Sequence, residues 1–233
     1  MSSDWSSDVC SSDLVLPDFL HWTPLTTRLP NPEGKGEITM LDLMVNSLRM
    51  RPDRIVLGEI RRQREAEVLF EAMHTGHSVY ATLHADSARQ VKRRLVSPPI
   101  ELPESMLEAL HLTVVQYRQR RTGVRRTFEV AEFAPTEKGV GLNTLFKLDA
   151  RKDVQKPTGK GKRLYQELEL HTGMTQREIK SNLKEKKGIL DFLVKKEVKD
   201  VNDLGKLFGE YYHEPDRILS IASGKKPLKE VLG

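Results

Sequence analysis

The 233-residue sequence contains a single cysteine, Cys10. One cysteine excludes an intramolecular disulfide and leaves no cysteine-rich metal site. The sequence also lacks any apolar run near the ~20 residues of a membrane-spanning helix, and no signal peptide can be recognised. Aromatic residues make up only 6% of the chain, whereas charged residues make up 30% and hydrophobic residues 38%. These features fit a globular protein, and we expect a cytoplasmic location.

A motif for holding nucleotide phosphates is also missing. No G-x-x-x-x-G-K-[ST] sequence occurs, which is the glycine-rich loop whose backbone amides surround phosphate oxygens. Two glycine and lysine clusters have the wrong spacing for such a loop, at Gly34–Gly36 and at Gly159–Lys162. The second cluster also has no predicted strand before it. The sequence therefore contains no recognisable phosphate loop.

The first 14 residues repeat Ser-Ser-Asp three times and have almost no apolar periodicity. We interpret residues 1–14 as a non-native segment, a translated adapter or an assembly artefact, and exclude it from fold reasoning. A disordered polar tail is the alternative. On either interpretation, Trp5 and Cys10 carry no information about function.

Two short apolar segments predict neighbouring strands of a parallel sheet. Ile55–Leu57 is too short for a helix and rich in β-branched residues, which is typical of a strand buried on both faces. Ser78–Leu83 is a second β-rich run, and the residues between the two runs predict a helix. Glu59 follows the first strand and His84 the second. Because ligands of open α/β sheets bind at the carboxyl ends of strands, we expect both side chains at one functional edge.

Each of these residues has more than one interpretation when it is taken alone. A carboxylate after a buried strand can hold Mg²⁺ through water, or orient a water that attacks a γ-phosphate. A surface ion pair is the alternative for Glu59. His74, His77 and His84 also suggest zinc, but the spacing includes no cysteine or carboxylate partner, which disfavours a zinc site. Histidines satisfied at strand ends are the remaining alternative.

The order and spacing of these motifs resemble the secretion ATPases of the type II/IV superfamily. These are the RecA-like motors of type II secretion, type IV pili, conjugation and the archaeal swimming filament, or archaellum. Gly58–Arg61 (Gly-Glu-Ile-Arg) matches the family's acidic (Walker B) motif, and Thr75–His84 matches its histidine motif. Asn31–Glu37 and Met40–Arg54 look most like the archaeal members. The resemblance covers roughly residues 15–224, and the combination of motifs is more specific than either motif alone.

The resemblance implies an ATPase that uses ATP and Mg²⁺. It implies that Glu59 is catalytic and holds Mg²⁺, through water. His77 and His84 would lie near the nucleotide and report its state, with His84 also counted among the catalytic residues. Family members use arginines that precede the Glu59-type motif to stabilise transferred charge from a neighbouring subunit, and Arg28 is the first candidate for that role. The other arginines implied in nucleotide binding are Arg49, Arg51, Arg54 and Arg61.

The resemblance also implies partners and a place in the cell. The intact protein would form a homohexamer that moves a polytopic membrane platform protein, at the cytoplasmic face of the cell membrane. Its membrane association would be peripheral and mediated by partners. The family's phosphate loop, first acidic motif and N-terminal domain would precede residue 15, so we interpret the chain as the C-terminal part of a motor. We expect the missing strand to leave an uncovered apolar sheet edge beside Ile55–Leu57.

The expected fold class is α/β, with part of a RecA-like core, a β-hairpin extension and a small α-helical domain. Residues 15–150 would belong to the core and its hairpin, residues 151–162 are rich in Lys, Gly and Pro and predict a linker, and residues 163–233 predict the helical domain. Thr39 and Asp42 predict a capped helix start, and Thr175 with Glu178 predicts a second. Gly188 is expected to separate two helices.

A nucleic-acid-binding helical module is the rival interpretation. Residues 151–233 contain 19 Lys+Arg and 13 Asp+Glu, and the short basic helices at 175–196 could form a helix-turn-helix. However, aromatic residues are few and acidic residues are interleaved with the basic ones. We therefore expect no nucleic acid among the partners, and the basic residues are read as a solvated surface or a surface for an acidic partner or membrane.

Overall fold

A computed structural model gives the structure of the chain. It describes residues 5–9, 16–17, 21–137 and 139–232, with residues 5–9 described by their backbone. The chain divides into two compact units. The first unit comprises residues 1–12 and 21–166, and the second comprises residues 13–20 and 167–233. Each unit is described by itself below.

The elements alternate between strands and helices in the first unit and are helical at the end of the chain. The strands are β1 Trp5–Val9, β2 Trp22–Thr26, β3 Arg54–Leu57, β4 Ser78–Ala81, β5 Leu112–Arg118, β6 Arg125–Thr136, β7 Gly139–Asp149 and β8 Val154–Pro157. The helices are α1 Met40–Arg49, α2 Gln63–His74, α3 Ala88–Val96, α4 Lys162–Thr172, α5 Gln176–Lys195, α6 Val201–His213, α7 Pro215–Ala222 and α8 Lys229–Leu232, with a 3₁₀ turn at Glu104–Ala109. The mixed α/β class predicted from the sequence is confirmed. No helix in the described ranges combines the length and the apolar character needed to cross a bilayer.

The first unit contains a parallel sheet of β2, β1, β3 and β4, in that order. Strands β3 and β4 pair in register, with Arg54 opposite Ser78 and Leu57 opposite Ala81. Ile55 and Leu57 are buried, as expected for a strand covered on both faces. Helices α1 and α2 begin at capping boxes and pack their apolar faces into the same core. This arrangement brings the carboxyl ends of β3 and β4 to one edge.

Strand β1 changes two expectations. Residues 5–9 pair with both β2 and β3, so the exclusion of residues 1–14 from the fold is wrong for this part, and the predicted open edge beside β3 is covered. A parallel ladder uses backbone N–H and C=O groups that any non-proline sequence supplies, so no apolar pattern was needed. For the same reason, the ladder does not test the non-native origin of the segment, which stays a prediction. Residues 1–4 and 10–14 lie outside the described residues.

An antiparallel sheet of β5, β6, β7 and β8 completes the first unit. Strands β5 and β6 form a hairpin, with Arg118 opposite Arg125 at its turn. The prediction of a linker at residues 151–162 is wrong, because β8 within it pairs with β7. The lysine and proline content of this segment is compatible with an exposed edge strand, where proline and lysine are tolerated.

The second unit is built from helices around a small apolar core. Ile189, Leu193, Leu207 and Ile218 are buried in it. Helix α5 starts at the predicted capping box of Thr175 and Glu178 and runs without interruption through Gly188, so the predicted separation into two helices is wrong. The Tyr211 hydroxyl donates to Glu185 Oε1 at 2.6 Å, and burial together with this carboxylate raises the pKa of Tyr211 to about 12.

Candidate functional site

Glu59 and His84 meet at the carboxyl edge of the parallel sheet. His84 Nε2 lies 3.2 Å from Glu59 Oε1, and Arg61 Nε donates to Glu59 Oε2 at 2.6 Å. The Glu59 side chain is 17% exposed, whereas the His84 side chain is 84% exposed. The carboxylate is thus held in a partly buried position between two nitrogen donors, and the imidazole reaches into open space.

The two residues meet because backbone pairing continues past the ends of β3 and β4. The Ile60 amide donates to the Thr82 carbonyl at 2.9 Å, and the Thr82 hydroxyl donates to the Gly58 carbonyl. These bonds fix the two segments that follow the strands against one another. The sequence-based prediction that Glu59 and His84 share one edge agrees with this geometry, since parallel strands deliver their next residues to the same side.

The loop after His84 is held by groups that the sequence did not single out. Arg94 on α3 donates to the His84 carbonyl, and Glu129 Oε2 on β6 accepts from the Ala88 amide at 3.0 Å. Glu129 Oε1 also accepts from the Thr144 hydroxyl at 2.8 Å. A buried carboxylate at the first turn of α3 is favoured by the exposed amides of a helix N-terminus. Nothing in the local sequence marks Glu129, because its partner lies 41 residues away.

The far end of α3 is tied to the antiparallel sheet through a lysine. Lys92 Nζ donates to Glu104 Oε1 at 2.6 Å and to the Val140 carbonyl. The hydrogen bond from Lys92, followed by one from the Val140 amide at 3.0 Å, holds the pKa of Glu104 below its ordinary value. Helix α3, which follows the histidine segment, is therefore anchored at both ends.

Arg28 lies beyond the carboxyl end of β2, on the same edge of the sheet as Glu59. Its backbone forms a bridge with Ile38, and its Nε donates to the Gly36 carbonyl at 2.7 Å. The intervening loop is ordered by Asn31, whose side-chain oxygen accepts from the Lys35 amide at 2.8 Å. The loop holds one side of the exposed Arg28 guanidinium and leaves its terminal nitrogens facing outward.

Four predicted site residues lie at the opposite edge. Arg54 opens β3, His77 directly precedes β4, and Arg49 and Arg51 come before β3 in the chain. His77 Nδ1 lies 3.2 Å from both the Thr75 hydroxyl oxygen and the Ala72 carbonyl oxygen, at the end of α2. Five strand residues separate Arg54 from Glu59, which is roughly 16 Å at ~3.3 Å per residue. Within one chain, these four residues do not join Glu59 and His84.

An open cavity of about 550 Å³ lies between β4 and β5. Both strands are terminal in their sheets, so their outer backbone groups face this space. Its walls are Val79–Ala85 on one side and Leu112–Gln116 on the other, and buried core side chains form its floor, among them Leu69, Phe70 and Leu95. His84 stands at its margin. The open sheet edge therefore lies beside β4 and not beside β3.

The site offers one carboxylate, one histidine and arginine groups. Among the described residues, no cluster of three or more His, Cys, Asp or Glu side chains could enclose a metal ion. Glu59 is thus suited to orienting a water or to an outer-sphere contact with a cation, and His84 and Arg61 are suited to oxyanions. The described residues place no row of backbone amides beside Glu59.

Comparison with known proteins agrees with the motifs. The family model for type II/IV secretion system proteins matches residues 22–197. An uncharacterized protein of Methanocaldococcus jannaschii, MJ1287, is 34% identical over 203 residues, which is 84% of this chain and 74% of that protein. Type II secretion system protein E of Pseudomonas aeruginosa is 43% identical over 72 residues, which is 30% of this chain and 14% of that protein.

A solved structure also aligns with part of the chain. The VirB11 ATPase of the Brucella suis type IV secretion system is 26% identical and covers 54% of this chain and 38% of its own, with a TM-score of 0.42. The family assignment does not depend on this alignment. Because the family model matches most of the chain, and because the match to MJ1287 extends over most of both proteins, the chain belongs to the type II/IV secretion ATPase superfamily.

Proposed function

We propose that this chain is the C-terminal part of a RecA-like ATPase that drives secretion or the assembly of pilus-like or archaellum-like filaments. The observation that carries the proposal is the 3.2 Å contact of Glu59 with His84 at the carboxyl edge of the parallel sheet. Two motifs separated along the chain meet where ligands of such sheets bind. Family membership makes ATP the proposed ligand.

In this proposal Glu59 orients the attacking water and accepts its proton as the water adds. Arg61 fixes one oxygen of the carboxylate, which leaves the oxygen near His84 available when the histidine moves. His84 is exposed and can donate to a phosphate oxygen, so its contact with Glu59 can be exchanged for a contact with nucleotide. The Glu59–His84 pair would then report whether the γ-phosphate is present.

The residues present fit ATP and Mg²⁺ only in part. Mg²⁺ uses one or two carboxylates together with waters and substrate phosphates, so Glu59 fits an outer-sphere role. Bound Mg²⁺ would neutralise charge on the phosphates. A phosphate loop would have to come from a longer form of the protein. The cavity between β4 and β5 supports this, because it offers two open strand edges and an apolar floor beside His84.

The remaining proposed residues are assigned to the subunit interface. Arg28 is held on an exposed, ordered loop, as expected of an arginine that reaches a neighbouring subunit. Arg49, Arg51, Arg54 and His77, at the other edge, could contact nucleotide only through another subunit or after rearrangement. We propose a homohexamer with a site at each interface, working on a polytopic membrane platform protein at the cytoplasmic face of the membrane.

The 233-residue chain by itself is expected neither to bind ATP tightly nor to hydrolyse it. A phosphate loop supplies backbone amides at a helix N-terminus and a lysine, which hold the β- and γ-phosphates, and the described residues have no equivalent. The measurement is titration of the chain with ATP and Mg²⁺ at physiological salt, with phosphate release followed in parallel. Weak, salt-sensitive attraction to arginines is the most that should be seen.

The matched sample is a longer form of the protein that adds a phosphate loop. It should bind ATP at micromolar concentrations and release phosphate under the same conditions. Steady turnover by the 233-residue chain would contradict the proposed division of the site, whereas an inactive longer form would contradict the proposed ATPase.

Replacing Arg28 with Ala in the longer form should abolish most hydrolysis while the subunit stays folded. An arginine that stabilises transferred charge is worth ~10³-fold or more in turnover. Arg64→Ala is the matched control, because Arg64 is an exposed arginine of α2 with only a 3.7 Å ion pair. Mixing Arg28→Ala subunits with Glu59→Gln subunits should restore part of the activity, because some interfaces then combine two intact halves. Absence of recovery in hexamers shown to be mixed would remove Arg28 from the interface role.

A further inference from the structure

One end of the antiparallel sheet carries a concentration of positive charge. We call it the arginine tip, and define it as residues 117–126 of the β5–β6 hairpin and residues 149–156 around the β7–β8 turn. The first segment contains five arginines and no acidic residue, and the second contains three basic and two acidic residues. The tip therefore has a formal charge of +6, whereas the whole chain has +5. All of the net positive charge of the protein is gathered there.

Contacts across the sheet hold the two segments together. Arg126 on β6 forms a two-pronged pair with Asp153, with Nε–Oδ1 at 2.8 Å and Nη2–Oδ2 at 2.7 Å. The Gln155 side-chain amide donates to the Thr127 carbonyl nearby. Lys156 pairs with Asp149 at 2.5 Å. These contacts use both acidic residues of the tip.

The other cations of the tip are left exposed. In the described parts of the chain, no carboxylate lies within ion-pair distance of Arg118, Arg120, Arg121 or Arg125. Arg151 and Lys152, in the β7–β8 turn, are likewise exposed and bond to Asp149 only through their backbone amides. Six cations gathered on one surface repel one another, and a polyanion would relieve that repulsion.

The hairpin turn presents these arginines on a defined backbone. The Gln119 amide donates to the Val124 carbonyl at 2.9 Å, and the Gly123 amide donates to the Gln119 carbonyl at 2.8 Å. The Thr122 hydroxyl donates to the Gln119 side chain. Gly123 has φ of +71°, a left-handed conformation that suits glycine. A turn fixed in this way loses little backbone freedom when a ligand binds.

Apolar groups at the tip distinguish between kinds of polyanion. Tyr117 is 46% exposed and Val124 is 38% exposed, so both stand among the arginines. Tyrosine is favoured at the headgroup level of membranes, where its ring and hydroxyl meet different surroundings. Proteins that bind single-stranded nucleic acid stack successive bases on several aromatic side chains. Tyr117 is the sole aromatic residue in the two segments, which favours a membrane.

We propose that the arginine tip binds the anionic phospholipid headgroups of the membrane at which the motor works. Arginine forks match phosphate oxygens, and clusters of four to eight basic residues are typical of segments that bind acidic lipid. The choice of a membrane rests in part on the proposed function. The contact would be made by this chain itself, in addition to any contact through protein partners, and it would orient the subunit with the β5–β6 turn toward the lipid.

The test is flotation of the 233-residue chain with vesicles, which separates bound protein from aggregates. Vesicles of phosphatidylcholine with phosphatidylglycerol should carry the chain at low salt, vesicles of phosphatidylcholine alone should not, and binding should fade as salt screens the charges. Each basic residue near an anionic surface contributes about fivefold in affinity. The triple variant Arg118→Gln, Arg120→Gln, Arg121→Gln should therefore bind about 100-fold more weakly.

The matched control removes three exposed cations elsewhere, as Lys184→Gln, Lys195→Gln and Lys225→Gln. It should lose less than about threefold, while Arg151→Gln with Lys152→Gln should lose about tenfold or more. Equal losses in the tip and control variants, or no flotation of the parent chain, would overturn the proposal. Tip-dependent binding to a DNA oligonucleotide that is tighter than to vesicles at the same salt would replace it with a nucleic-acid site. No ATP is added, so failure here leaves the proposed ATPase untouched.

Discussion

Replacing Glu59 with Gln, in a longer form of the protein that adds a phosphate loop, should preserve ATP binding and lower turnover at least ~10²-fold. The change keeps the size of the side chain and an oxygen for Arg61, but it removes the negative charge that orients water and accepts its proton. Binding survives because the phosphates are held by other groups. Nucleotide affinity and single-turnover phosphate release, measured on the same preparation, separate the two effects.

The matched control for this experiment is Glu67→Gln in α2. Glu67 faces Arg64 at 3.7 Å on the helix surface, so the same chemical change occurs outside the site. Its turnover should stay within about twofold of the parent protein. If Glu59→Gln retained near-normal turnover, Glu59 would be assigned to structure, with Arg61 and His84 as its ion-pair partners.

Replacing Glu132 with Leu should destabilise the first unit by about 3 kcal/mol, because buried donors are left without an acceptor. Glu132 on β6 is 1% exposed. Its Oε1 accepts from Asn143 Nδ2 at 2.7 Å and from the Lys162 amide at 3.0 Å, and its Oε2 accepts from the Leu164 amide at 3.0 Å. The carboxylate thus joins β7 to the first turn of α4 and satisfies amides that a helix start leaves open.

Thermal and denaturant unfolding of the 233-residue chain measure this effect, followed by a probe placed in the antiparallel sheet. For a domain of this size, 1 kcal/mol corresponds to ~2–4 °C, so the transition of the first unit should fall by ~6–12 °C. Glu132→Gln should lose less, because its amide keeps one acceptor. Glu108→Leu, an exposed position near the 3₁₀ turn, is the control and should change little. Equal stability of Glu132→Leu and its control would show that the three donors find water instead.

The elements that could be predicted from the sequence depend on local signals. Strand β3 follows from the short β-branched run at Ile55–Leu57, and the starts of α1 and α5 follow from capping boxes in which both partners lie within three residues. The meeting of Glu59 with His84 also followed from a general rule. Two parallel neighbouring strands must deliver their next residues to the same edge, so the site required only that both strands be recognised.

The tertiary structure decided what depends on distant partners. β1 and β8 form because neighbouring strands offer free backbone groups, a signal absent from their own side chains. Helix α5 continues through Gly188 because Ile189 and Leu193 are buried against α6 and α7, which outweighs the ~1 kcal/mol that a glycine costs inside a helix.

The same reason separates the predicted site residues. The sequence grouped His77 with His84 by motif, but β4 lies between them and carries the two histidines to opposite edges of the sheet. Glu129 and Glu132 carry no local mark at all, because their partners lie 11 to 41 residues away in the chain. The sequence by itself determined the family, the paired motifs and the helix starts, since those are local patterns. Only the folded chain decided which charged groups are buried and which edge is open, because both depend on what packs across the sheet.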